Sequence, residues 1–121
     1  MGRIIVVDDE TDLFPVFKIK FRKEIDHGQI QFQFFTSGPE IINFMEKNPE
    51  SDVKAVLLDL FLPGMSGIEV LKHLKSKYTD LKIYIFSASS QEEIKKEVMA
   101  AGADNFFPKP LNFQDLRKVL I

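Results

Sequence analysis

One short stretch restricts the fold of this chain more than any other. Residues 56–62 are apolar except for the single carboxylate of Asp59, and Pro63 and Gly64 follow directly. A continuous apolar run of this length is typical of a strand that is buried on both faces, as in the centre of a parallel sheet. The Pro-Gly pair then predicts a turn towards a helix. Asp59 is therefore expected at the carboxyl end of an interior strand, where open α/β sheets bind ligands.

Strand and helix patterns alternate along the rest of the chain. Besides the strand that ends at Asp59, strands are predicted at 3–7, 29–35, 82–86 and 105–107. Helices are predicted at 12–25 and 38–45, from Ser66 onward, from Ser90 to Gly102 and after Asn112; Ser37, Ser66 and Ser90 open capping boxes. Pro15 fits only in the first turn of the first helix, which is therefore expected to begin late or to bend. Glutamine alternates with apolar residues across 29–34, so this strand has one wet face and is predicted at the sheet's edge.

Five strands that alternate with five helices predict an α/β domain with a parallel sheet, helices on both faces and right-handed crossovers. The 121 residues are expected to form one domain over 1–121, with no output domain in the chain. A net charge of −2 gives no electrostatic reason to expect direct binding to nucleic acid or to an anionic membrane. The absence of cysteine excludes disulfides and thiolate sites. No apolar run approaches the roughly 20 residues that span a bilayer, and a cytoplasmic location is expected.

Four of the predicted strand-to-helix junctions carry side chains suited to chemistry, and all of these junctions open on the same edge of such a sheet. These side chains are Asp8, Asp9 and Glu10 from the first junction, Asp59 from the third, Ser87 from the fourth and Lys109 from the fifth. Carboxylates held close together raise one another's pKa unless a cation neutralises them. Mg²⁺ suits such oxygen ligands and leaves positions for water and phosphate oxygens. The chemistry that these groups share is phosphoryl transfer, with Asp59 as the nucleophile that forms an aspartyl phosphate.

Each of these signals is weak by itself. The acidic triplet 8–10 could serve only to stabilise a helix N-terminus through the helix dipole. Asp59 and Ser87 could be local turn or cap residues, and Lys109 a solvated surface lysine. The functional interpretation rests on the conjunction, since four independent junctions each supply a suitable group.

Five segments together carry a resemblance to a known family. They are IIVVDDE at 4–10, LLDLFLPGMSG at 57–67, FSA at 86–88, AGAD at 101–104 and KP at 109–110. The set resembles the receiver domains of bacterial two-component response regulators, the CheY-like superfamily, and the similarity covers the whole chain. It implies a flavodoxin-like, three-layer, doubly wound (βα)5 fold with a five-stranded parallel sheet of order 2-1-3-4-5.

The resemblance also implies a role for each matching residue. Asp59 would be the phosphoacceptor. Asp9, Asp59 and the backbone carbonyl of Phe61 would bind Mg²⁺ directly, and Asp8 would hold it through water. Ser87 would hydrogen-bond the phosphoryl group and Lys109 would pair with it.

Two further positions match, and two depart from the family. Phe106 matches the aromatic switch of the family, and the Lys109–Pro110 bond stands where most members have a cis peptide. Phe61 is bulky for a position that influences phosphoryl lifetime, so the dephosphorylation rate stays open. Ser66 stands where the family often has aspartate, and it caps a helix equally well.

The function implied is a signalling module that is switched by phosphorylation. A sensor histidine kinase or a histidine phosphotransfer protein would donate the phosphoryl group. The added charge would then bias a two-state surface of the fourth helix, fifth strand and fifth helix, which presents Lys95, Phe106, Gln114 and Lys118. The chain is not expected to be an enzyme, apart from assisting its own Mg²⁺-dependent phosphorylation and dephosphorylation. The downstream partner (another protein or an output domain of a longer chain) and homodimerisation stay open.

Two other classes of function are weighed against this one. A binding module that uses the fold without phosphorylation would be expected to lose Asp59 or Lys109. A hydrolase with an aspartate nucleophile typically carries a second aspartate two residues on, where this chain has Phe61. A flavodoxin-like electron carrier would have a hydroxyl-rich loop after the first strand, where this chain has carboxylates.

Overall fold

The computed structural model describes residues 2–49, 52–89 and 91–121. Over these residues the chain forms five strands: β1 (Gly2–Val7), β2 (Ile30–Phe35), β3 (Val53–Asp59), β4 (Lys82–Ser87) and β5 (Asn105–Pro108). The helices of the same residues are α1 (Leu13–Lys20), α2 (Arg22–Asp26), α3 (Gly38–Lys47), α4 (Gly67–Lys77), α5 (Glu92–Ala100) and α6 (Phe113–Leu120). None of the helices in these three ranges is both long enough and apolar enough to cross a lipid bilayer.

The strands pair in parallel to form one sheet of order β2-β1-β3-β4-β5, which confirms the expected topology. The strand with the wet face, β2, lies at the edge as predicted. The run that contains Asp59 is a central strand, with β1 on one side and β4 on the other. In register, Asp59 lies opposite Phe86 of β4, and Phe86 lies opposite Phe107 of β5.

Helices cover both faces of the sheet, and alternate residues of the central strands point to opposite faces. Val56 and Leu58 pack in a cluster with α3, α4 and α5, whereas Leu57 packs on the other face with α1 and α6. Because both faces are covered, the strand needs apolar side chains on both, and the run 56–58 is fully buried. Burial of this kind stabilises the domain by about 25 cal/mol for each Å² of apolar surface removed from water.

Side-chain caps start three of the helices where the sequence predicts them. The hydroxyls of Ser37 and Ser66 accept from the backbone N–H groups of Glu40 and Glu69, at 3.4 Å in both cases. The side chain of Asn112 accepts from the backbone N–H groups at the start of α6. Ser90, predicted as a third cap, lies outside the described residues; the N-cap position of α5 is Gln91, which makes no side-chain capping bond.

The prediction of one continuous helix over 12–25 is wrong. Pro15 lies in the first turn of α1, as its chemistry requires, but the helical path is interrupted at Phe21 and resumes as α2. At the interruption Phe21 is fully buried, and the guanidinium of Arg117 in α6 donates to the carbonyl oxygen of Lys20. Since Arg117 comes from the other end of the chain, local sequence patterns carry no trace of the break.

Candidate functional site

The carboxyl edge of the sheet brings together groups from three strand ends. Asp8 follows the last residue of β1, Asp59 is the last residue of β3, and Lys109 follows β5. The Nζ atom of Lys109 lies 3.1 Å from Oδ2 of Asp8 and 3.2 Å from Oδ2 of Asp59. Glu10 is a more distant neighbour, with Oε1 at 3.8 Å from the same Nζ. One ammonium group therefore joins two carboxylates that come from separate strands.

Backbone N–H groups fix the orientation of the two inner carboxylates. The N–H of Glu10 donates to Oδ1 of Asp8 at 2.9 Å, and the N–H of Phe61 donates to Oδ1 of Asp59 at 3.1 Å. Each carboxylate thus has one oxygen bound to the backbone and the other to Lys109. Asp8 is fully buried and Asp59 is only 4 % exposed, so both carboxylates depend on these partners rather than on water.

A glycine allows the chain to turn closely beneath Asp59. A Cβ atom at Gly67 would overlap the main-chain carbonyl oxygen of Asp59 and the backbone of Leu60. The N–H of Gly67 donates to the carbonyl oxygen of Leu60 at 2.8 Å, so the start of α4 is held against the end of β3. A side chain at this position would push the β3–α4 turn away from the site.

The carboxylates of Asp8, Asp9 and Asp59 could hold a metal ion. One oxygen from each lies within 4.8 Å of the others. Asp8 and Asp59 are buried while Asp9 is exposed, so the cluster opens to solvent on one side. All of these donors are hard oxygens, which suit Mg²⁺. Among the described residues, Lys109 is the only cation paired with this cluster, so the carboxylates outnumber the positive charges. The residues present therefore fit a divalent cation.

Burial and neighbouring charge act together on the pKa of Asp59. The pKa of Asp59 is raised from the ordinary 3.8 to about 6; burial is the largest cause, and the nearby charge of Asp8 also raises it. The hydrogen bond from the N–H of Phe61 and the charge of Lys109 act in the opposite direction and do not fully compensate. For Lys109, burial lowers the pKa, but its bonds to Asp8 and Asp59 outweigh this effect and the net pKa is raised. Lys109 therefore stays positively charged, but its single charge does not neutralise both Asp8 and Asp59.

The other predicted residues surround this centre without all contacting it. Ser87 is fully buried; its hydroxyl accepts from the N–H of Ser89 at 3.1 Å, and its carbonyl oxygen accepts from the N–H of Lys109 at 2.8 Å. The side chain of Phe61 points outward and is 56 % exposed. Phe106 is half-buried against the cluster formed with α3, α4 and α5, and the Lys109–Pro110 bond is cis.

Sequence reasoning missed one neighbour of the site. The Nζ atom of Lys109 lies over the ring of Phe86, 5.0 Å from the ring centroid. Phe86 stands directly before Ser87, but as part of an apolar strand it carries no sequence signal that separates it from core residues. Its contact with Lys109 depends on the pairing of β4 with β5 and cannot be read from local patterns.

Comparison with known proteins gives a consistent result. The sequence pattern described as "response regulator receiver domain" matches residues 4–121. Over 66 residues the chain is 42 % identical to a cyclic di-GMP phosphodiesterase of Thermotoga maritima, covering 54 % of this chain and 18 % of that protein. It is 29 % identical to the response regulator RppA of Synechocystis sp., covering 94 % of this chain and 47 % of RppA.

The same family appears among solved structures. The signal receiver domain of a LuxO repressor protein from Vibrio parahaemolyticus superposes with a TM-score of 0.86 at 25 % identity, covering 98 % of this chain and 86 % of that one. The chain spans about half the length of RppA and less of the phosphodiesterase.

Proposed function

The chain belongs to the response regulator receiver domain family, and on this premise we propose that it accepts a phosphoryl group on Asp59 from a sensor histidine kinase or a histidine phosphotransfer protein. The observation that carries this proposal is the ammonium of Lys109, which lies 3.1 and 3.2 Å from the carboxylates of Asp8 and Asp59. A nucleophilic carboxylate, a cation and a set of hard oxygen donors meet at one sheet edge. These are the groups that phosphoryl transfer to an aspartate requires.

In the proposed reaction a carboxylate oxygen of Asp59 attacks the phosphorus of a phosphohistidine. The new oxygen–phosphorus bond forms as the bond between phosphorus and the imidazole nitrogen breaks, and the imidazole leaves with that electron pair and takes a proton from solvent. The N–H of Phe61 holds the carboxylate in one orientation at 3.1 Å, which reduces the entropy cost of reaching the attacking geometry.

Asp8, Asp9 and Asp59, with the backbone carbonyl of Phe61, would hold Mg²⁺, which supplies charge stabilisation for the transferring phosphoryl oxygens. Lys109 contributes a second positive charge from the chain itself. It would exchange its bond to Asp59 for one to a phosphoryl oxygen, while its bond to Asp8 keeps it in the site.

The surface proposed to respond to phosphorylation consists of α5, β5 and α6. These are the fourth helix, fifth strand and fifth helix predicted from the sequence. The helix numbers rise by one because the first predicted helix is divided into α1 and α2 in the structure. Ser87 would turn its hydroxyl from the N–H of Ser89 towards the phosphoryl group, and Phe106 would move further inward. The movement changes the surface that carries Lys95, Gln114 and Lys118, to which a downstream protein or an output domain would bind.

This function makes the chain a signalling module whose only proposed catalysis is on its own Asp59. The phosphodiesterase activity in the name of the Thermotoga relative belongs to a protein of which this chain matches 18 %. The cytoplasm, where kinases find ATP, is the proposed location.

The proposal is tested with a small phosphodonor. Purified protein is incubated with acetyl phosphate and Mg²⁺, and its intact mass is measured. We expect the wild type to gain the mass of one phosphoryl group, the Asp59→Asn variant to gain none, and excess EDTA to suppress the gain. An equal gain in wild type and in Asp59→Asn would overturn the assignment of the phosphoacceptor, and no gain in either would overturn the proposed function.

A further inference from the structure

We propose that the ring of Phe86 is a positioning residue for phosphoryl transfer, since it holds the ammonium of Lys109 over its face in the site. This inference rests on the proposed function. The ammonium has carboxylate partners at 3.1 Å (Asp8), 3.2 Å (Asp59) and 3.8 Å (Glu10), and it also lies over the ring of Phe86, 5.0 Å from the ring centroid. A cation at this distance from the face of an aromatic ring is attracted by the ring's quadrupole.

The ring is held firmly by the sheet. Phe86 is fully buried, lies in β4 and pairs with β3 on one side and β5 on the other. Its carbonyl oxygen accepts from the N–H of Leu60 at 3.0 Å. The ring is therefore part of the rigid interior, whereas Lys109 is at the end of a flexible side chain in a loop.

A ring face is useful here because it does not compete for hydrogen bonds. In the proposed reaction Lys109 must release Asp59 and bind a phosphoryl oxygen, so a stronger anionic partner would hold it back. The ring attracts the ammonium without accepting any of its N–H groups, which therefore remain available for carboxylate and phosphoryl oxygens. The side chain of Lys109 is only 18 % exposed, and in such a partly dry place the attraction is stronger than at a wet surface.

An aliphatic residue would fill the same space without this effect. Leucine in place of Phe86 would keep an apolar wall but leave the partly buried ammonium with no attraction from that side. The side chain of Lys109 would then sample more orientations, and fewer of them would place Nζ where the phosphoryl oxygen forms.

The experiment separates ring electronics from ring shape. Mono-, di- and trifluorinated phenylalanine, introduced at position 86 alone, progressively weaken the negative potential of the ring face with little change in shape. We expect the rate of phosphate uptake from acetyl phosphate to fall in steps, reaching about threefold to tenfold with the trifluorinated ring. The matched control is the same series at Phe17, a fully buried ring of the same cluster whose neighbours include Phe32 and Phe113; its rates should stay flat.

A second measurement does not depend on phosphorylation. A double-mutant cycle combines trifluorinated Phe86 with Lys109→Met and follows the unfolding equilibrium constant. We expect the two changes to be coupled by a factor of about three or more. If the wild type is phosphorylated but fluorination at position 86 leaves the rate unchanged, the inference is overturned and the proposed function stays intact. A wild type that takes up none overturns the proposed function; coupling in the cycle then still supports the ring–ammonium contact, and no coupling overturns it as well.

Discussion

Two clusters of charged side chains lie at opposite edges of the same sheet, and they differ in charge balance. At the carboxyl edge, the carboxylates of Asp8, Asp9 and Asp59 lie close together, and the ammonium of Lys109 pairs with two of them, Asp8 and Asp59. At the amino edge, the single carboxylate of Asp104 has two cations. Nζ of Lys75 lies 2.8 Å from its Oδ2, and Nζ of Lys82 lies 3.8 Å from its Oδ1.

The two clusters shift the pKa of the same residue type in opposite directions. Burial raises the pKa of Asp104, but the bonds from Lys75 and from the N–H of Ile83 outweigh it, and the net pKa is lowered. For Asp59, burial and Asp8 prevail and the pKa rises to about 6. The amino-edge cluster is complete and serves the fold, because Lys75 also donates to the carbonyl oxygen of Leu81 and so ties α4 to β4. The carboxyl-edge cluster has more carboxylates than cations, and a proton on Asp59 or a cation from outside would reduce this imbalance.

The largest expected difference between the clusters concerns their lysines. Lys109→Met should lower the rate of phosphate uptake from acetyl phosphate about 100-fold or more, since a charged donor to the transferring group is lost. Lys75→Met should change the rate by less than about twofold, because it removes a charge at the other edge of the sheet. Intact-mass time courses measure both rates, with melting curves to verify that the variants are folded. Equal losses in the two variants would contradict the functional distinction between the edges.

The dependence of stability on pH should have opposite signs for the two aspartates. The pKa of Asp59 is about 6 in the folded protein and 3.8 in the unfolded chain, so protonation of Asp59 stabilises the fold. This stabilisation is fully present below pH 3.8 and is lost as the pH rises through about 6. Without Mg²⁺, the wild type should thus lose about 3 kcal/mol relative to Asp59→Asn between these limits. Urea unfolding of both proteins at a series of pH values measures the difference.

Asp104 provides the comparison for this titration. Its folded pKa is lowered, so its contribution is present above 3.8 and is lost as the pH falls through the lowered value. The difference between the wild type and Asp104→Asn should therefore run in the opposite direction to that for Asp59→Asn. Two differences of the same sign would show that charge balance does not distinguish the clusters.

Removal of the amino-edge carboxylate should destabilise the fold without touching the chemistry. Asp104→Ala removes the acceptor of the Ile83 N–H and the carboxylate partner of Lys75, which keeps only its bond to Leu81; this should lower the free energy of unfolding by about 2 kcal/mol. Asp12→Ala is the matched control, because Asp12 is exposed and makes no side-chain capping bond to α1. It should change stability by less than about 0.5 kcal/mol. Urea unfolding at pH 7 compares the two, and equal effects would show that the Asp104 network adds nothing to stability.

The smallest expected effect is the response to Mg²⁺. At tenfold excess over its dissociation constant, Mg²⁺ should stabilise the wild type by about 1.4 kcal/mol, and EDTA should reverse this. Asp104→Ala should keep the full response, while Asp59→Asn should lose most of it, since a carboxylate of the acidic cluster is gone. Thermal melts with and without Mg²⁺ measure the shift. A full response in Asp59→Asn would show that the metal binds elsewhere.

Local sequence patterns predicted the positions of most strands and helices, and they predicted that the site residues would lie close together. All five strands end within one or two residues of the predicted positions, and Ser37, Ser66 and Asn112 cap helices as expected. The parallel topology then brings the ends of β1, β3 and β5 to one edge, which is why Asp8, Asp59 and Lys109 meet. Their roles in phosphoryl transfer remain predictions.

The errors and omissions share a different cause. At the break near Phe21 the carbonyl oxygen of Lys20 accepts from Arg117 of α6. The ring of Phe86 in β4 meets Lys109, which follows the neighbouring strand β5, and Asp104, which precedes β5, pairs with Lys75 of α4. In each case a polar or aromatic side chain contacts a partner far along the chain, and the local sequence around it does not indicate that contact.

The sequence by itself determined the order of strands and helices, their caps and the set of chemically capable residues, because hydrophobic period, turn chemistry and capping act over a few neighbouring residues. The tertiary structure alone decided which charges are balanced. Whether an aspartate has a raised or a lowered pKa depends on the number of cations and N–H groups within a few ångströms and on the loss of water around it. Those quantities exist only once distant segments have packed, as the opposite shifts of Asp59 and Asp104 illustrate.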